Sequence, residues 1–86
     1  MDFSLEFSTI FLEKLRNLDK SIAIEIENKV DKIQKNPILP AQRMQHSSNF
    51  FRVYVRNFRI IYKVEESRVL LLDIIKRKEG YGKFRG

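Results

Sequence analysis

The sequence predicts an α+β fold in the order β-α-α-β-β-β, with an N-terminal helical hairpin packed on one face of a mainly antiparallel four-stranded sheet. Three observations carry this. Apolar and polar residues alternate over residues 3–7 and again over 51–63, the period-2 signature of strands with one buried face. Between these stretches, residues 9–35 carry apolar side chains at helical spacing. Residues 68–76 then form an almost continuous apolar run, which suits a central strand buried on both faces. With 86 residues, 43% hydrophobic and 33% charged, residues 1–86 are expected to form one globular domain.

In the first strand, Phe3, Leu5 and Phe7 face inward while Asp2, Ser4 and Glu6 face water. Ser8 is placed to cap a helix whose apolar face is Ile10, Phe11, Leu15 and Leu18. Asp19 is a plausible cap for a second helix, with Ile22, Ile26, Val30 and Ile33 on one face. Glu25 and Lys29 form an i,i+4 pair on the other. Asn36-Pro37 ends that helix, because the residue before proline is pushed out of helical geometry. Residues 37–49 read as loop.

The hairpins decide which side chains share a face. Arg56-Asn57 reads as a two-residue turn, with Asn57 tolerating the positive φ such turns need. Val55 then pairs with Phe58, Tyr54 with Arg59, Val53 with Ile60 and Arg52 with Ile61. Opposed residues share a face, so Phe51, Val53, Val55, Phe58, Ile60 and Tyr62 meet the helices. The open face collects Arg52, Tyr54, Arg59, Ile61 and Lys63. For the next hairpin, an even loop would bury an unpaired Asp73 at a cost of several kcal/mol. A three-residue loop, Glu65-Glu66-Ser67, instead sends Leu70, Leu72 and Ile74 into the core. It also adds Asp73 to the open face as an orienting partner for the arginines, and Arg77 beside them. Lys76, Lys78 and Tyr81 fall at the rim.

Charge is unevenly spread, and the total is +6. Residues 1–31 hold seven acids against four bases, residues 32–64 hold seven bases and no acid, and residues 65–86 hold six bases against four acids. Such a balance points to an anionic partner. Arginines facing one another across a sheet are destabilising unless an anion sits between them. The candidate contacts for such a partner are Tyr54, Arg56, Lys63, Lys76 and Lys78. Zero cysteines exclude disulfides, thiolate metal sites and cysteine nucleophiles. No His/Asp/Glu set has metal-ligand spacing and no glycine-rich phosphate loop is present, so neither metal nor cofactor is expected. His46, the single histidine, falls in the loop, where a solvated imidazole is the commoner role. The N-terminus has no basic segment followed by an apolar one, and the longest apolar run, Val69 to Leu72, is far short of a membrane span. The expected location is the cytoplasm.

The stretch FFRVYVRNFRIIYKV, followed after a short break by VLLLDIIKRKEGY, resembles the RelE/ParE toxin superfamily. The shared features, in order, are an aromatic-basic strand (Phe51-Arg52-Val53), the Arg56-Asn57 turn and Phe58-Arg59-Ile60-Ile61-Tyr62. The apolar strand Val69 to Ile75 follows, and then Arg77 with Tyr81 four residues on. The resemblance implies the toxin of a type II toxin–antitoxin system. On the RelE branch this means a ribosome-dependent, metal-independent endoribonuclease that cuts mRNA and is held inactive by a cognate antitoxin. The ParE branch shares the fold and poisons DNA gyrase; a non-catalytic RNA-binding module is a third reading. Carried over, the catalytic set is Arg52, Arg59, Arg77 and Tyr81. Tyr54 departs from the pattern, standing where the bacterial nucleases have a second lysine, and the usual glycine is absent from RMQHSSNFF. Arginines suit charge stabilisation at a phosphorane but stay protonated, so they cannot act as base. Tyr54, Tyr81, His46, Lys76 and Lys78 remain for proton transfer, with Tyr81 first, either as acceptor or as a stacking ring.

Overall fold

The computed structural model describes residues 2–38, 42–43 and 49–76. Its strands are β1 (Ser4–Phe7), β2 (Gln42–Arg43), β3 (Phe50–Val55), β4 (Phe58–Glu65) and β5 (Arg68–Lys76); its helices are α1 (Thr9–Arg16) and α2 (Lys20–Lys35). The sheet order is β1-β5-β4-β3-β2. β1 runs parallel to β5, and the other neighbours are antiparallel. Both helices and all four strands expected from the sequence are present. β2 is an addition inside the expected loop, pairing Gln42 with Arg52 and Arg43 with Phe51. Two residues are too few for alternation to register.

Local chemistry sets the helix ends. Ser8 Oγ accepts the Phe11 N–H at 3.0 Å and donates to the Leu72 carbonyl at 2.7 Å, so one hydroxyl both caps α1 and ties it to the sheet. Asp19 holds the N-cap position of α2 without a side-chain cap bond; its carbonyl accepts the Ala23 N–H at 2.9 Å. α2 stops at Lys35, ahead of Asn36-Pro37.

The core joins Phe11 of α1 and Ile26, Val30 and Ile33 of α2 to one face of the sheet. From β3 and β4 that face is Phe51, Val53, Val55, Phe58, Ile60 and Tyr62, all of them expected there. The helix expectation departs at Ile10, which is 54% exposed, and the strand expectation at Phe7, which is 42% exposed. Tyr62 is the largest fully buried side chain among the described residues. Its hydroxyl donates to the Pro37 carbonyl, linking β4 to the end of α2. Burial pushes this phenol well above the usual tyrosine range.

The second hairpin corrects the sequence reading. Its turn is two residues, Glu66-Ser67, with Glu65 opposite Arg68. Tyr62 pairs with Leu71 but Ile61 pairs with Asp73, so Leu72 is the extra residue of a bulge. Val69 and Leu71 therefore enter the core before the bulge and Ile74 after it, while Leu70 and Leu72, expected inside, are half-buried. The parity changes within the strand. A tight turn and an unburied Asp73 are both achieved, which a single register could not do. A second correction concerns the turns. The positive φ falls on Arg56 (56°) and Glu66 (55°) instead of Asn57. A non-glycine residue there costs about 1–2 kcal/mol.

Leu71→Ala should cost about 2–5 kcal/mol in urea unfolding, and Leu72→Ala less than half as much; equal costs would contradict the bulge. Tyr62 supplies a pH test. Its folded pKa lies above the unfolded value of about 10, so its contribution is complete below that pH and is lost as pH rises through the folded value. Stability should therefore fall above about pH 10 in the wild type, and Tyr62→Phe should remove that part of the slope.

Candidate functional site

The open face of the sheet is the reverse of the core. Register places Tyr54 opposite Arg59 and Arg52 opposite Ile61, as expected, with Ile75 and Asp73 continuing the two rows on β5. Phe50 faces Lys63, which faces Leu70. Arg52 and Arg59 are thus diagonal neighbours, a relation that in a regular sheet separates residues by about 7–8 Å. Both side chains are half-buried. In each, Nε is sealed from solvent without a hydrogen-bond partner among the described residues. An unsatisfied buried donor of this kind costs about 1–3 kcal/mol. A phosphate or other oxyanion seated between the two guanidinium groups would be gripped by their planar forks, which match its oxygens.

Among the described residues, Lys63, Arg68 and Arg56 on or near this face are already engaged. Lys63 Nζ lies 2.8 Å from Glu65 Oε2 and 5.3 Å from the centre of the Phe50 ring. Hydrogen bonding from Lys63, with Arg68 also nearby, holds the Glu65 carboxyl below the ordinary range. Arg68 bridges Glu65 and Glu6, at 2.9 Å from each. Arg56 turns toward α2 and grips the Glu25 carboxylate with Nε at 2.9 Å and Nη2 at 2.5 Å. Glu25, expected beside Lys29, thus has Arg56 as its partner, and this hydrogen bonding lowers its pKa.

Asp73, expected to orient the arginines, has a different partner among the described residues: its Oδ1 accepts from Lys14 Nζ at 2.8 Å and from the Ile74 N–H at 2.7 Å. The acid is drawn to the outer edge of β5. Nothing in the sequence signals this bond, because Lys14 lies 59 positions away, off the apolar face of α1. Tyr54 is half-buried beside Arg59. Lys76 ends β5 opposite Phe58, exposed and on the parity of the core face. Arg77, Lys78, Tyr81 and His46 lie outside the described residues. The structure therefore brings together Arg52, Arg59 and Tyr54 from the expected site.

Among the described residues, no three His, Cys, Asp or Glu side chains are grouped to hold a metal ion. No helix among them is long and apolar enough to cross a membrane.

Comparison with known proteins places the chain in a family. No curated protein matches the sequence significantly. Among solved structures, a mutant of the E. coli toxin RelE in complex with an antitoxin RelBc peptide superposes with a TM-score of 0.82 at 18% identity, covering 98% of this chain and 95% of that one. The toxin–antitoxin complex RelBE2 from Mycobacterium tuberculosis gives 0.79 at 15% identity, over 90% and 100% of the two chains. The RelB–RelE complex from Methanococcus jannaschii gives 0.72 at 22% identity, over 92% and 98%. At such identities the likeness is one of fold. The family model described as the ParE toxin of type II toxin–antitoxin system, parDE, matches residues 5–81, and the chain belongs to this toxin family, within the RelE/ParE superfamily.

Proposed function

We propose that this toxin is an endoribonuclease that cuts mRNA on the ribosome by attack of a 2′-hydroxyl on the adjacent phosphate, without a metal. The observation that carries the reading is the pair of half-buried arginines, Arg52 and Arg59, each with an unsatisfied Nε on one sheet face. A phosphorane concentrates negative charge on its oxygens, and fixed guanidinium groups stabilise that charge without reorganising. Arg52 and Arg59 hold the scissile phosphate in this scheme. Tyr54 offers a ring and a hydroxyl beside it, and Arg77 and Tyr81 complete the catalytic set. Lys76 and Lys78 follow the RNA backbone. Arg56 and Lys63 contribute less, because Glu25 and Glu65 already neutralise them. A cognate antitoxin is the inhibitor, a reading supported by the toxin–antitoxin complexes among the structurally similar proteins. The cytoplasm, where ribosomes and mRNA are, is the proposed location.

A second reading, inhibition of DNA gyrase without nuclease chemistry, draws on the ParE description of the matching family. Induced expression separates the two. Growth should slow and new mRNA ends should appear within translated reading frames. Gyrase-linked DNA breaks with intact mRNA would establish the inhibitor instead.

Replacing Arg52 or Arg59 with Ala should lower the cleavage rate on the order of 10²–10³-fold. Stability should hold or rise slightly, because each change removes an unsatisfied buried donor. Lys32→Ala and Lys35→Ala, on α2, should only weaken RNA attraction and its salt dependence. If these two silence the toxin while Arg59→Ala stays active, the site belongs on the helix.

A further inference from the structure

Where β1 ends at Phe7, the outer edge of β5 beyond Leu71 loses its strand neighbour. The start and flank of α1 take over that edge. The Ser8 N–H donates to the Leu71 carbonyl at 2.9 Å, and Ser8 Oγ to the Leu72 carbonyl at 2.7 Å. Further along, Lys14 Nζ reaches the Ile74 carbonyl at 3.2 Å and Asp73 Oδ1 at 2.8 Å. The Ile74 N–H also donates to Asp73 Oδ1, at 2.7 Å. The carboxylate is thereby turned away from β4 and toward α1.

That orientation matters for the opposite side of the same strand. Asp73 stands opposite Ile61, and Arg59 lies two residues from Ile61 on the same parity of β4. Asp73 and Arg59 are therefore diagonal neighbours, at a separation of about 7–8 Å that a long guanidinium side chain spans easily. A released Asp73 would place a carboxylate within reach of the Arg59 guanidinium. It would compete there with any phosphate. The bulge at Leu72 creates the hazard, because it keeps Asp73 out of the core by sending it to the arginine face.

We propose that Lys14 is a positioning residue for this face: by holding Asp73 at the outer edge of β5, it keeps Arg59 available to the RNA phosphate. The inference rests on the reading of the open sheet face as the RNA site. Lys14 itself does not touch RNA. An ion pair this exposed adds little to stability, so its effect lies in where the acid points.

The test is binding of a short fluorescent single-stranded RNA at low ionic strength to the full chain and its variants. Lys14→Gln should weaken binding about five- to tenfold, the scale of one misplaced charge at this separation. Lys14→Arg should bind as the wild type does. Asp73→Asn alone should change little, yet in the Lys14→Gln background it should restore affinity to within about twofold. Unchanged binding by Lys14→Gln overturns the inference. So does a gain from Asp73→Asn that is equal in both backgrounds, since that is the additive result of net charge alone. A wild-type chain that does not bind this RNA overturns the reading of the face itself, and the inference with it.

Discussion

A single unpaired residue, Leu72, determines which way the far half of the central strand faces. Before it, Val69 and Leu71 point to the helices; after it, Ile74 does, and Asp73 points away. Without the parity change, the two-residue turn at Glu66-Ser67 would drive Asp73 into an apolar core against Ile60 and the helices. An unpaired carboxylate there would cost several kcal/mol, a large part of the stability of so small a fold. The bulge reconciles turn geometry with burial. The Ser8 hydroxyl bonds to the carbonyl of the same residue, so the cap of α1 and the irregularity of β5 are held together.

Once the core face is fixed, the open face follows, because opposed residues in a sheet share a side. Apolar Phe51, Val53, Phe58 and Ile60 on one side require Arg52, Tyr54 and Arg59 on the other. The surrounding charges are largely spent on one another: Arg56 with Glu25, Lys63 and Arg68 with Glu65, Lys14 with Asp73. What distinguishes Arg52 and Arg59 is the buried Nε in each, without a partner among the described residues. Two such donors cost stability, and in the proposed reading the two arginines are kept for the anion they bind.

Much of this was legible in the sequence. The Arg56-Asn57 turn and strict alternation on both sides of it gave the register of β3 and β4 residue by residue, and with it the Tyr54–Arg59 pair. The long apolar run correctly marked β5 as central, flanked by β1 and β4. The failures have a common origin. Leu70 and Leu72 fall in the core only if one parity runs through the whole strand, and a bulge inside an all-apolar run leaves no mark on the pattern. Four consecutive apolar residues fit either register equally well. The links from Lys14 to Asp73 and from Arg56 to Glu25 join residues far apart in the chain, where spacing carries no information. β2 is too short to be seen, and the positive φ at Arg56 goes against residue preference.

The arginine pair can be observed directly through its own donors. In ¹⁵N-resolved NMR, the Arg52 and Arg59 Nε–H signals should shift together and saturate during titration with single-stranded RNA, as each guanidinium engages phosphate. The Arg56 and Arg68 signals, already fixed by carboxylates, should stay in place. Shifts confined to Arg56 and Arg68, with Arg52 and Arg59 unmoved, would contradict the assignment of the sheet face as the phosphate site.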